Sequence, residues 1–293
     1  DCTKREPLVQ FLIRQLILTG LRTYLVNVDK GSAEMKVIIL AAGQGTRLRP
    51  LTDDRPKCMV EVKGRSILER QLDTMHACGI RDTDITIVAG YRGDVLQSRF
   101  AGTEIRIIVN EEYGTTNMVC SLMCARELME SQDDILISYG DIIYNEKVLK
   151  KILASDEAAS VIVDDGWYAY WSERCGNPLD DAETLLFDRD DYLTEIGQKT
   201  TELARVQSQY IGLMRFQREG LHAMLGLAKE AEERTAKGIA LWRTARTYRK
   251  MYMTDLLQGL IDEGNKLKAV HIHRGWFEID DVGDLRVVES EIE

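Results

Sequence analysis

The chain has 293 residues, 44% of them hydrophobic, with 38 basic against 48 acidic side chains and a net charge of -10. That length holds one α/β domain or two smaller ones with ample material for a core, and the charge has the wrong sign for a protein that lives on nucleic acid or on an anionic membrane. Six cysteines, at 2, 58, 78, 120, 124 and 175, form neither a Cys-x-x-Cys pair nor a zinc-type spacing, so reduced, packed thiols and a cytoplasmic location are expected.

The first 34 residues carry PLVQFLIRQLILTGLRTYLVNV, which is apolar but interrupted by Arg14, Gln15, Gly20 and Arg22. It is too broken to span a bilayer or to serve as a clean signal peptide. Leu8, Leu12, Gln15, Leu16 and Thr19 follow helical spacing and predict a packed helix. The role of this N-terminal extension is left open between the tail of a preceding domain, a contact in a homo-oligomer and a gene-boundary artefact. From Met35 the second unit, 35–293, begins. Val37 to Leu40 is apolar on both faces and β-branched, as in a buried parallel strand. It runs straight into a turn with Gly43 and Gly45, where the missing side chains would admit phosphate oxygens to the backbone.

Further along, Ser66 to Glu69 reads as a capping box opening a helix that Gly79 ends. Strand-like runs follow at DITIVAG (84–90), EIRIIVN (104–110) and DILISYGD (134–141), with helical patterns at Thr116–Glu130 and Asn145–Ala154. This alternation predicts an α/β fold with a doubly wound, mostly parallel sheet, Rossmann-like, whose ligands sit at the carboxyl ends of the strands. About 164–215 the alternation breaks. DDGWYAYWSERCGNPLDDAETLLFDRDD, then strand-like YLTEIG and SQYIGLMRF, look like an inserted, acceptor-facing region. Helices are expected over Arg218–Ala236 and Thr254–Glu263, the second capped by Thr254, then a strand, a turn at Arg274-Gly275 and a terminal helix. His271 and His273 share a strand face, but two imidazoles without a third ligand are a weak metal signal.

The glycine turn is not a P-loop, and Leu48 stands where a third glycine would complete G-x-G-x-x-G. What remains is strand, Ala41-Ala42-Gly43-Gln44-Gly45-Thr46-Arg47, then Arg55-Pro56-Lys57. This pattern resembles the sugar-phosphate nucleotidyltransferase superfamily. The segments YGTTNMVCSL, ISYGD and GWFEIDD look most like the cytidylyltransferases that act on phosphocholine and 2-aminoethylphosphonate.

The resemblance implies that Ala41, Ala42, Gly43, Gly45 and Thr46 wrap the nucleotide phosphates and that Arg47 binds the triphosphate. Lys57, expected on an exposed loop stiffened by Pro56, would neutralise charge at the α-phosphate. Arg55 would be structural. Asp141 and Asp280 match metal-binding positions and would hold magnesium, with Asp281 an alternative partner and helix capping the plainer role for Asp280. Gly90, Tyr91, Thr116, Asn117 and Ser121 would read the base, cytosine being favoured; Asn117 could equally cap a helix.

The expected reaction joins CTP to a small phosphate or phosphonate acceptor by in-line attack on the α-phosphorus, releasing pyrophosphate. The acceptor is already anionic, so no general base is required. Alternatives are a uridylyl- or guanylyltransferase acting on a sugar 1-phosphate, and a non-catalytic nucleotide sensor or scaffold. Finally, Trp167, Tyr168, Tyr170 and Trp171 stand beside Asp164, Asp165 and Arg174. Four rings in five positions are not expected to share one core face. Trp167, Tyr168, Trp171 and Arg174 are therefore assigned to the acceptor, which should be zwitterionic, with 2-aminoethylphosphonate or phosphocholine ahead of any sugar phosphate.

Overall fold

A computed structural model of the chain describes residues 35–292. The helix expected within 1–34 lies outside them. Lys36–Ala41 forms the strand that its apolar run predicts, and its side chains divide by the period of two. Ile38 and Leu40 pack with Val119, Leu122, Leu221 and Met224 on one face. Val37, Ile39 and Ala41 pack with Leu68, Leu72, Val148 and Leu149 on the other. Each large side chain so buried contributes roughly 1.5–3 kcal/mol. A strand apolar on both faces is therefore held between two layers of helices, which makes the fold doubly wound.

From edge to edge, the seven-stranded sheet runs Lys268–Ile272, Ala159–Asp164, Gln209–Gln217, Asp134–Tyr139, Lys36–Ala41, Ile85–Ala89 and Arg106–Val109. Gln209–Gln217 is antiparallel to both neighbours, and every other pairing is parallel. The segment after Asp164 thus has three parts. A helix, Trp167–Arg174, and an antiparallel hairpin, Glu183–Phe187 with Leu193–Lys199, stand outside the main sheet, whereas Gln209–Gln217 belongs to its interior.

Local chemistry explains where the helices begin and end. Ser66 accepts from Glu69 N while Glu69 accepts from Ser66 N, so Ile67–Ala77 starts on the expected capping box. The predicted helix Thr116–Glu130 is instead two, Met118–Met123 and Arg126–Glu130. At the break the Cys124 N–H is shared between the Cys120 and Ser121 carbonyls, and Ala125 turns into the core. The helix Met253–Asp262 is capped by Tyr252, whose N–H donates to Asp255 at 2.8 Å, and not by Thr254. Thr254 packs against Gly197, where a Cβ would come within 2.5 Å of it.

Two devices carry the C-terminal segment to the sheet's carboxyl edge. The wholly buried Asp164 accepts from Gly166 N at 2.9 Å, Arg274 N at 2.8 Å and Trp276 Nε1 at 2.8 Å. After the left-handed turn at Arg274 and Gly275, Trp276–Glu278 pairs antiparallel with Ile142–Tyr144. Ile279 N then donates to Asp141 O at 3.1 Å, which brings residues 278–280 beside Asp141.

Candidate active site

A cavity of about 320 Å³ opens beyond the carboxyl ends of Lys36–Ala41 and Asp134–Tyr139. Ala42, Gly43, Gly45, Thr46 and Arg47 form one wall, Lys57, Asp141 and Asp280 another, and Tyr113, Thr116, Asn117, Met118 and Ser121 a third. Of the two turn glycines, Gly45 has the backbone reason: its φ is +60°, and a Cβ there would come within 2.9 Å of the Lys57 Cβ. Gly43 has open space where a Cβ would stand, so any side chain there would intrude on the cavity. Buried Thr52 donates to Gly45 O at 2.8 Å and fixes the loop from inside.

Lys57 opens a short 3₁₀ turn after Pro56, but its side chain is only 13% exposed, which corrects the expectation of an open-loop lysine. Its Nζ donates to Asp141 at 2.7 Å and also to Asp280. Burial alone would drain its charge, yet the two aspartates more than reverse that, and its pKa lies above the ordinary lysine value. Arg47 reaches the other oxygen of Asp280 at 2.9 Å. Asp141 sits just after Gly140, where a Cβ would meet Leu40 O at 2.7 Å, so the loop lies flat on the first strand. Gln71, fully buried, donates to Tyr139 O at 2.8 Å and to Ile142 O and holds the same loop from below.

Glu278 was not anticipated. It stands two residues before Asp280, on the same side of an extended segment. Carboxylate oxygens of Asp141, Glu278 and Asp280 lie within 4.8 Å of one another. Burial, and then the charge of Asp280, push Glu278 up to about 8. Asp141 Oδ1 is buried without a hydrogen-bond partner, which is costly unless something else supplies one. Three convergent carboxylates with an unspent oxygen suit a hard divalent cation. Asp281 is not part of the group: it accepts from Gly283 N and Asp284 N and caps the last helix, Val282–Glu291.

The base-side residues are held by one that sequence reasoning missed. Asn110, buried at the end of the strand Arg106–Val109, donates to Thr116 Oγ1 at 3.0 Å and Ser121 Oγ at 2.9 Å. Asn117 lines the cavity and also caps the helix, accepting from Met118 N at 2.8 Å. Gly90 and Tyr91 do not line it. A Cβ at Gly90 would strike Ala42 and Tyr113, and the Tyr91 hydroxyl donates to Thr52 O and Asp53 O, so both brace the glycine loop. Ala41 is likewise buried beneath the site and contributes packing.

The aromatic cluster is elsewhere. Trp167, Tyr170 and Trp171, at i, i+3 and i+4, share one helix face and are buried around Trp276, while Tyr168 points out to solvent. None of them lines the cavity. Arg174 is 4% exposed and is spent on Glu278 and Asp284, which leaves it no free donor edge for an acceptor. His271 pairs with Asp165 at 2.9 Å and is not among the cavity residues. The described cysteines are free thiols, and no described helix is long and apolar enough to cross a membrane.

A glycine turn, a lysine and three acids, drawn together at the carboxyl edge of a doubly wound sheet, suit a nucleotide's phosphates and their metal ion, and so define a nucleotide-handling α/β protein. Residues 37–207, more than half of the chain, match the MobA-like NTP transferase domain, and the chain belongs to that family. It is 37% identical over 258 residues to the CTP:phosphoglutamine cytidylyltransferase of Campylobacter jejuni, a match spanning 86% of this chain and 98% of that one. It is 31% identical over 161 residues to the choline-phosphate cytidylyltransferase of Streptococcus pneumoniae, covering 54% of this chain and 61% of the relative. Among solved structures, a CTP:phosphocholine cytidylyltransferase from Streptococcus pneumoniae has the same fold, with a TM-score of 0.64 at 20% identity, over 89% of this chain and 100% of the other. Enzymes of this family generally use a divalent metal ion, and the carboxylate group described above fits one.

Proposed function

We propose that the protein transfers the cytidylyl group of CTP to a small phosphate-bearing amino-acid derivative of the phosphoglutamine kind. The observation that carries this reading is the 37% identity to a CTP:phosphoglutamine cytidylyltransferase along 98% of that enzyme's length. An acceptor phosphate oxygen attacks the α-phosphorus of CTP, the bond to the β-phosphate oxygen breaks, and pyrophosphate leaves with the electron pair. Ala42, Gly43, Gly45 and Thr46 bind the phosphates. Arg47 and Lys57 offset the charge that gathers on the pentacoordinate phosphorus, and a positioned cation of this kind is worth several kcal/mol. Asp141, Glu278 and Asp280 would hold magnesium, which when bound adds charge stabilisation to the α-phosphate and the acceptor. Tyr113, Thr116, Asn117 and Ser121 face the base. We place the protein in the cytoplasm, a setting that suits its free cysteines.

The test is pyrophosphate release from CTP with phosphoglutamine, phosphocholine, 2-aminoethylphosphonate or glucose 1-phosphate as acceptor. Fastest release with phosphoglutamine is expected. Preference for glucose 1-phosphate would overturn the acceptor class.

A further inference from the structure

Arg174 ends the helix Trp167–Arg174, and its guanidinium lies in the interior with its centre 5.3 Å from the Tyr170 ring centroid and 5.1 Å from that of Trp171. NH1 donates to Glu278 Oε2 at 2.7 Å. Nε and NH2 together grip Asp284, at 2.8 and 3.1 Å. Asp284 in turn accepts from the backbone N–H of Asp280 at 2.8 Å. Tyr170, one helical turn back, exchanges hydrogen bonds with the main chain of Glu278, accepting from its N–H at 2.9 Å and donating to its carbonyl at 3.2 Å.

We propose that Arg174 is the positioning residue of the divalent-cation site: its planar fork, packed against two adjacent rings, sets the spacing at which Glu278 and Asp280 close on an ion with Asp141. The inference rests on the reading of that carboxylate group as the cation site. Two of the three acids are then fixed from one side chain, Glu278 directly and Asp280 both through Asp284 and by NH2, which stands 3.7 Å from its Oδ2. A guanidinium suits the task because its N–H groups leave one rigid plane in fixed directions and reach two carboxylates on different elements at once. An ammonium is a point charge on a flexible stem and cannot make the paired contact to Asp284 while reaching Glu278. The rings of Tyr170 and Trp171 then serve the site indirectly, by fixing the plane of the fork. That gives the aromatic run of this helix a role that acceptor binding does not supply.

Binding of Mn2+ to the nucleotide-free, full-length protein separates the possibilities, with free ion read by electron paramagnetic resonance. Lys57 remains as a competitor in the parent and in the two test variants, so the ratios of affinities report on the acids. Arg174→Lys keeps the charge and loses the fork, and Asp284→Asn cuts the same chain from its other end should the first variant fold poorly. Each is expected to bind Mn2+ about 10-fold or more weakly while keeping its near-ultraviolet circular dichroism, the loss typical when the partners that orient metal ligands are removed. Parental Mn2+ affinity in Arg174→Lys or Asp284→Asn, with only a lowered melting temperature, would overturn the proposal and leave Arg174 as a brace of the fold. Asp280→Asn is the control. If it binds as the parent does, or if the parent does not bind, the cation site itself is wrong and the inference falls with it.

Discussion

Lys57→Ala removes the ammonium that touches both Asp141 and Asp280 and leaves three carboxylates within 4.8 Å of one another. At an effective dielectric constant near 20, two unit charges at that distance repel by about 3 kcal/mol. Breaking a buried ion pair by taking one partner costs about 3–5 kcal/mol. Glu278 relieves part of this, since burial and the charge of Asp280 already raise its pKa and loss of the nearby ammonium raises it further. A net loss of about 3 kcal/mol is expected, or about 6 °C in melting temperature for a domain of this size. Because a divalent ion would compensate the same acids, magnesium should raise the variant's melting temperature more than the parent's. Turnover should fall by about 100-fold or more. Thermal melts with chelator and with magnesium, paired with pyrophosphate release, check both halves. A variant that melts like the parent in chelator and turns over normally would refute the account of Lys57.

Asp141→Asn and Asp280→Asn should each raise the magnesium concentration needed for half-maximal turnover by about 10-fold or more, and overlaid metal titrations would count against the carboxylate site. Trp171→Ala should cost about 3–5 kcal/mol in denaturant unfolding, as a core truncation; a variant as stable as the parent would contradict the placement of this ring in the core. Asp84 is held down at about 2, first by its hydrogen bond from Arg81 and then by Lys36. A depressed carboxylate contributes stability above its unfolded pKa of about 3.9 and loses it as pH falls toward 2, so Arg81→Gln should begin acid unfolding at higher pH. An unchanged acid transition by circular dichroism would contradict that.

Much of the fold was legible because short-range patterns determine it. The run Val37–Leu40 has no polar face, so it is sandwiched, and the box Ser66 to Glu69 starts a helix where it stands. Lys57, Arg47, Asp141 and Asp280, far apart in sequence, do meet at one cavity. The errors came from judging residues by adjacency. Four rings in five positions look too crowded for one face, yet Trp167, Tyr170 and Trp171 have the spacing of a single helical stripe, which leaves only Tyr168 outside. Gly90 is a glycine for close packing against Ala42, a need that its neighbours in sequence do not reveal. Glu278 could have been found from its i, i+2 relation to Asp280. Gln71 and Asn110 could not, because the groups they hold become neighbours only once the sheet has formed.

The central claim is cytidylyl transfer, and a direct competition tests it. Equal amounts of CTP, UTP, GTP and ATP are supplied with phosphoglutamine and a divalent ion, and the nucleotide-linked products are resolved by mass. The account predicts that the cytidine product dominates and that Lys57→Ala abolishes most of it. A mixture dominated by the uridine or guanosine product would contradict the account.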